Sequence, residues 1–313
     1  MSAPDATLAD ESLLRERLQA YLQKQTRREW NLGSFTRYAV GFSWITYGFG
    51  ATEQGQPERG LILRLGPPYG LFAPYSALPQ HAALKVLEDS GVPTPRSYWW
   101  SDDASILGAP FFISERVAGS APVPWVSQNG SGFEDAYRLK LGTQFVSALA
   151  GLHNCEWHGR PGFENDGTTV ENAALRQVEE WERNQARWAL KPYPMLTWAF
   201  RWLRAHLPRA PRVSLVHGDY RLGNFLERDG CITAILDWEL VHPGDPHEDS
   251  GLGFFAAIQR RFRAGLSFVA QGRFHPPVRA RSRFQGRSGR VAVLHRVCAG
   301  QAGHHPYRGG ALL

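Results

Sequence analysis

From the N-terminus to about residue 30, apolar positions recur three or four apart, with Leu13, Leu14, Leu18, Tyr21 and Leu22 on one side, which predicts an amphipathic helix. Between residues 32 and 118 the pattern shifts to short apolar runs, as in Leu61-Ile62-Leu63-Arg64-Leu65 and Phe111-Phe112-Ile113-Ser114, separated by Gly, Pro and polar residues. These runs predict strands, with one helix that begins near Pro79 and ends before Gly91-Val92-Pro93. From 120 to 207 the helical period returns: Asp135 to His153, with Leu141, Phe145, Ala148, Leu149 and Leu152 as its stripe, then Val170 to Arg187, then Pro194 to Leu207, with Trp198, Trp202 and Leu203 on one face. Val213-Ser214-Leu215-Val216 and Cys231 to Leu236 read as two more short strands, the second preceded by the turn signal Arg228-Asp229-Gly230. A strand-rich portion followed by a larger helical one predicts an α+β chain of two lobes.

The segment between the last two strands carries the most specific chemistry. It reads His217-Gly218-Asp219-Tyr220-Arg221-Leu222-Gly223-Asn224, and Ile235-Leu236-Asp237-Trp238-Glu239 follows. Asp219 can take a proton, Asn224 can offer a neutral oxygen to a cation, and Asp237 ends an apolar run. Phosphoryl transfer from ATP needs this set: a positioned hydroxyl, neutralised phosphate charge and Mg²⁺ bridging the phosphates. Mg²⁺ takes one or two carboxylates supplemented by water and phosphate oxygens, so Asn224 and Asp237 suffice without a dedicated cage.

These residues resemble the aminoglycoside phosphotransferase family, small-molecule kinases that share the protein-kinase fold. The family signature is His-Gly-Asp followed by Asn, then Ile-x-Asp-Trp-Glu, then Gly-Asp-Pro and a later Asp; the last part here is Pro243-Gly244-Asp245-Pro246-His247-Glu248-Asp249. The resemblance implies that Asp219 is the base or hydroxyl-orienting group, that His217 belongs to the catalytic loop and supports it by hydrogen bonding, that Asn224 and Asp237 are Mg²⁺ ligands, and that Asp249 is structural. It also implies a protein-kinase-like division: an N-terminal helical segment over 1–31, a small mixed β lobe that binds nucleotide over 32–118, and a mainly helical lobe with the catalytic loop over 119–249. Phe111 to Gly119 resembles the interlobe hinge, so backbone groups near Glu115 and Val117 are expected to receive adenine. Arg64 stands where many relatives carry a phosphate-contacting Lys or Arg, against the alternative of a surface Arg on an edge strand. Val40 to Tyr47 occupies the place of the nucleotide-covering loop, where Ser43 is expected to cap phosphates. The chain departs from the pattern at Ala83, which falls where relatives often carry a helix Glu that pairs with that cation.

A length of 313 residues with 43% hydrophobic and 20% charged residues has globular proportions. No apolar run approaches the length needed to span a bilayer, and Asp5, Asp10 and Glu11 near the start do not resemble a signal segment. We expect a cytoplasmic chain with no membrane partner; nothing in the sequence sets its oligomeric state. The stretch from Ser250 to Leu313 contains no Asp or Glu and eleven of the 35 basic residues, so the remaining 24 stand against all 29 acids and give a formal −5 within a chain of +6. Two readings compete for residues 250–313. A genuine Arg-rich arm would bind nucleic acid electrostatically. A slipped reading frame near Ser250 would instead explain the missing acids and an end to the family resemblance just after Asp249.

The sequence therefore predicts transfer of the γ-phosphoryl group of ATP to a hydroxyl of a small molecule, with ATP and Mg²⁺ as cofactors. A nucleotide-binding pseudokinase or scaffold is the alternative, motivated by Ala83, the weak glycine loop and the altered C-terminus.

Overall fold

The computed structural model describes residues 10–38, 43–121 and 135–251. Helix α1 (Glu11–Thr26) starts at Asp10, whose carboxylate accepts the backbone N–H groups of Ser12 and Leu13 at 2.8 and 3.2 Å. Such a cap satisfies donors that the first turn leaves unpaired. The helix buries Leu14, Leu18, Tyr21 and Leu22, the stripe read from the sequence.

Six strands form the small-lobe sheet: β1 (Trp30–Leu32), β2 (Thr36–Tyr38), β3 (Ile45–Glu53), β4 (Arg59–Leu65), β5 (Ser97–Ser101) and β6 (Phe111–Glu115), ordered β1-β3-β4-β6-β5 with β2 also paired to β3. Side chains alternate across a strand. In β4, Leu61, Leu63 and Leu65 are fully buried in a core with α1, Phe49, Phe111 and Ile113. The same alternation turns Arg64 to the opposite face. Because β4 lies between β3 and β6, Arg64 stands on a central strand, which excludes the edge-strand alternative.

That opposite face packs on helix α2 (Leu78–Leu87), whose Ala82, Ala83, Leu84 and Leu87 join a second core with Trp44 and Phe112. The second core continues into the large lobe through helix α4 (Asp135–His153), where Leu141, Ala148 and Leu152 are buried. It thus joins the lobes beneath the site. A one-turn helix α3 (Ala104–Leu107) links β5 to β6, and helices α5 (Ala173–Trp188) and α6 (Pro194–Ala205) follow α4. Arg204 of α6 reaches Glu179 and Glu182 of α5 at 3.3 and 2.5 Å. Trp198 and Trp202 are 61% and 49% exposed, so the aromatic face predicted for α6 does not enter the core.

The motif residues are carried by two small ladders. Strand β7 (Ser214–Val216) pairs antiparallel with β10 (His242–Gly244), and β8 (Phe225–Arg228) pairs with β9 (Cys231–Ile235). Asp229 and Gly230 have φ of 55° and 75° between the latter two, the positive-φ pair that a tight hairpin turn requires. Gln144 of α4 fixes this hairpin from the side: its amide N–H donates to the Gly230 carbonyl at 2.8 Å, and its carbonyl accepts the Ile232 N–H at 3.0 Å.

Past Glu115 the chain crosses from the sheet to the hairpin. Ser120 and Glu227 exchange backbone hydrogen bonds of 2.9 Å, and Thr233 Oγ1 donates to the Ala118 carbonyl at 2.8 Å. Gly119, at φ +148°, makes this approach, since a Cβ there would meet Thr233 Oγ1 at 2.7 Å and the Glu227 carbonyl at 3.0 Å. Among the described residues no helix is long and apolar enough to cross a membrane.

Candidate active site

The loop from His217 to Asn224 is held from behind by buried polar groups. The Asp219 N–H donates to His217 Nδ1 at 3.2 Å, so Nε2 carries the ring proton and donates to the Leu236 carbonyl at 2.8 Å. Burial pushes the imidazole pKa below its ordinary value, which keeps the ring neutral and suits this tautomer. His217 therefore ties the residue beside Asp237 to the backbone of Asp219.

Asp249 performs the matching task one layer deeper. Its carboxylate accepts the N–H groups of His217 and Gly218 at 3.0 and 2.9 Å and lies 2.9 Å from His153 Nε2. Burial opposes its ionisation, yet the hydrogen bonds from His153 and His217 outweigh that and hold its pKa below the usual carboxylate range. A Cβ on Gly218, at φ +82°, would lie 2.7 Å from the Leu240 carbonyl, so the loop can pass here only as glycine.

At the loop surface, Asn224 Nδ2 donates to Asp219 Oδ2 at 2.6 Å and to the Asp219 carbonyl at 3.0 Å. The Leu236 N–H donates to the Asn224 carbonyl at 2.8 Å, which brings the backbone of Asn224 beside that of Asp237. Asp237 adopts a left-handed conformation, φ 67° and ψ 54°, a region where aspartate is tolerated better than most residues. The structure thus gathers Asp219, Asn224 and Asp237 at one end of the β8–β9 hairpin. An amide oxygen and a carboxylate are hard donors that suit Mg²⁺.

The small lobe supplies the cation. Arg64 Nη2 lies 3.0 Å from Asp237 Oδ1, its Nη1 donates to Gln80 Oε1 at 3.2 Å, and its guanidinium lies 5.8 Å from the Trp44 ring centroid. The helix partner of Arg64 is therefore Gln80, one turn before Ala83, while Ala83 is wholly buried in the core. Gln80 is 2% exposed and shares an inward face with Leu84 and Leu87. A polar residue on that apolar stripe was the available signal. Gln80 is neutral, which leaves Asp237 as the carboxylate paired with Arg64.

Ser43 is also buried, and its hydroxyl donates to Glu239. Burial, followed by the charge of Asp237, pushes the Glu239 pKa up. Glu239, the last residue of the Ile235 to Glu239 motif, thereby links the small lobe to the short helix after Asp237. Val40 and Gly41 of the expected nucleotide-covering loop lie outside the described residues. At the hinge, the Glu115 N–H donates to the Arg96 carbonyl at 2.8 Å, and Val117 is half-buried where the chain leaves the sheet.

A cleft of about 620 Å³ opens beside the loop at Gly218 and Glu239. One wall is aromatic, with Trp44, Phe72 and Tyr75; the other is α5, with Arg176, Arg183 and Asn184. The segment that roofs it is tied to α5 by hydrogen bonds from Arg187 to the Ala73 carbonyl and from Trp188 Nε1 to the Leu71 carbonyl, the latter 2.6 Å.

A two-lobed α+β chain with this loop between its lobes has the kinase-like fold of small-molecule phosphotransferases. The sequence model of the Phosphotransferase enzyme family matches residues 35–283, and the chain belongs to that family. The matched span continues past Asp249, so the resemblance extends beyond the point where the motifs end. A provisionally assigned aminoglycoside phosphotransferase from Ralstonia eutropha JMP134 superposes with a TM-score of 0.59 at 25% identity, covering 91% of this chain and 80% of that one. Aminoglycoside phosphotransferase APH(4)-Ia, solved as a thermostable mutant with ADP and hygromycin B, shares the fold at a TM-score of 0.52, with 16% identity and 81% coverage of each chain. Among curated proteins, acyl-CoA dehydrogenase family member 10 of Mus musculus is 30% identical over 197 residues, and member 11 of Rattus norvegicus is 31% identical over 200. Each match takes in 61% of this chain but only 18% and 24% of the respective relative.

Proposed function

We propose that this chain transfers the γ-phosphoryl group of ATP to a hydroxyl of a small molecule, with Asp219 accepting or orienting the hydroxyl proton. The observation that carries this reading is the meeting of Asp219, Asn224 and Asp237 at one end of the β8–β9 hairpin, faced by Arg64 from the other lobe. Such a site contributes alignment and charge neutralisation more than covalent chemistry. Asn224 and Asp237 would hold Mg²⁺, which supplies neutralising charge to the phosphates when bound. Arg64 would engage phosphate oxygens bidentately, Ser43 would cap phosphates from the covering loop, and the backbone near Glu115 and Val117 would line the adenine site.

The acceptor is assigned to the cleft beside Gly218, which is walled by aromatic and arginine side chains. The neighbours solved with hygromycin B and with streptomycin and ATP share the fold, and fold alone does not carry an acceptor across. The scaffold alternative draws on Ala83, the weak glycine loop and the altered C-terminus; Gln80 holds Arg64 from the same helix as Ala83, but without charge. The Arg-rich stretch lies outside the described residues and adds nothing to the proposal.

The test combines nucleotide binding with transfer from radiolabelled ATP across a panel of small alcohols. Asp219→Ala is expected to abolish transfer while Mg·ATP binding stays within about threefold, because the substitution removes the base and no phosphate ligand. Turnover that survives in Asp219→Ala refutes the assignment. Nucleotide binding without transfer to any alcohol favours the scaffold.

A further inference from the structure

Arg221 is the second arginine at the site and has no role in the scheme above. Its Nε lies 2.9 Å from both carboxylate oxygens of Asp219, and its side chain is 44% exposed. One N–H shared between two acceptors is a bifurcated contact that is easily exchanged. Asn224 holds Oδ2 from the other side, so Oδ1 carries the Nε contact alone and is the oxygen an incoming hydroxyl can approach. The two Nη groups of Arg221 bring four more N–H donors, and they have no protein partner among the described residues. Nη1 lies 3.3 Å from the position a Cβ on Gly223 would take, so the guanidinium extends over the loop next to Asn224.

Resting on the phosphotransferase reading, we propose that Arg221 contacts the phosphoryl group being transferred, its Nε remaining on Asp219 while its Nη groups donate to non-bridging γ-phosphate oxygens. An acceptor hydroxyl bonded to Asp219 must sit about 3 Å from phosphorus to react. A guanidinium bonded to the same carboxylate therefore has its Nη atoms within reach of the oxygens on that phosphorus. In the step, the bond from γ-phosphorus to the bridging oxygen breaks and its electron pair goes to ADP. The acceptor oxygen bonds to phosphorus, and the hydroxyl proton passes to Asp219. Charge is spread over the equatorial oxygens throughout, and a planar guanidinium matches two such oxygens better than a point charge does. A role limited to holding Asp219 would leave the Nη groups to solvent.

The experiment compares binding of Mg·AMP-PNP and Mg·ADP by calorimetry to the full chain and to its Arg221→Ala and Arg221→Lys forms. A hydrogen bond between charged groups predicts about a tenfold or greater loss of AMP-PNP affinity in Arg221→Ala, with ADP affinity changed less than about twofold. Arg221→Lys is expected to fall between. Equal losses for both nucleotides, or unchanged AMP-PNP binding, overturn the contact while leaving the phosphotransferase reading intact. If the unaltered chain binds neither nucleotide, that reading fails and the contact falls with it. Thermal melting of each form separates loss of fold from loss of contact.

Discussion

Arg64 of the small lobe lies 3.0 Å from Asp237 of the large lobe, so the residue proposed to grip phosphate is paired with the residue proposed to grip the metal. Asp219 and Glu239 carry further acidic groups nearby, and burial, followed by the charge of Asp237, raises the Glu239 pKa. In the nucleotide-free protein the guanidinium thus supplies part of the positive charge that Mg²⁺ would bring. Removing it should leave a local excess of negative charge with a stronger demand for a cation.

In Arg64→Met, Mg²⁺ without nucleotide is expected to raise the melting temperature by more than it does in the unaltered chain. Ligands that bind only the folded state stabilise by mass action, so the shift reports metal affinity directly. Identical Mg²⁺ responses in the two proteins would show that Arg64 does not compete with the cation at Asp237.

Gln80 tests the orientation of the same guanidinium. Gln80→Leu keeps an apolar stem on the buried face of α2 but deletes the acceptor for Nη1. The expected result is about a tenfold rise in the KM for ATP, the cost of one hydrogen bond to a charged group, with kcat less affected. Gln80→Glu should restore or improve affinity by supplying the carboxylate that relatives often place on this helix. Steady-state kinetics on the three proteins measure the effect, and an unchanged KM in Gln80→Leu removes Gln80 from the site.

These residues show how far the sequence could be read. Asp219, Asn224 and Asp237 were legible because their spacing along the chain reflects a short hairpin, and local structure brings them together. Arg64 is expected at the site from the resemblance alone; the alternation of Leu61, Leu63 and Leu65, buried on the other face, is what the structure adds. Gln80 and Glu239 were not assigned, because their partners Arg64 and Ser43 are 16 and 196 positions away in the chain. Alignment with relatives puts Ala83 at the position of the helix Glu, whereas the structure brings Gln80 to the guanidinium. The aromatic face of α6 was read correctly as a helical stripe, but its period could not say what it packs against.

The hinge depends on a single missing side chain. Gly119→Ala would put a methyl group 2.7 Å from Thr233 Oγ1 and 3.0 Å from the Glu227 carbonyl, at a φ of +148° that side chains rarely adopt. Both the strain and the clash act on the segment joining the lobes. A loss of about 2 kcal/mol or more is expected by urea unfolding, together with weaker nucleotide binding because Val117 lies two residues away. A stability change under about 0.5 kcal/mol would mean that the crossing is looser than its hydrogen bonds indicate.

His217 makes the stability of the loop dependent on pH in a direction that can be worked out. Its folded pKa lies below the unfolded value of 6.5, so between the two the unfolded chain binds the extra proton. Stability is therefore full above about 6.5 and is lost as pH falls through that value toward the lowered folded pKa. His242 acts oppositely: burial works against its charge, but Glu248 raises its pKa, so its contribution is present below 6.5 and fades as pH rises. Comparison with His217→Leu isolates the first effect, because His242 is common to both proteins. The variant loses the hydrogen bond from the Asp219 N–H and the one to the Leu236 carbonyl, and should be less stable by about 2–3 kcal/mol at pH 7. Its deficit should shrink as pH is lowered from 7 to about 5. A deficit that stays constant across that range would show that His217 is not held neutral against the Leu236 carbonyl.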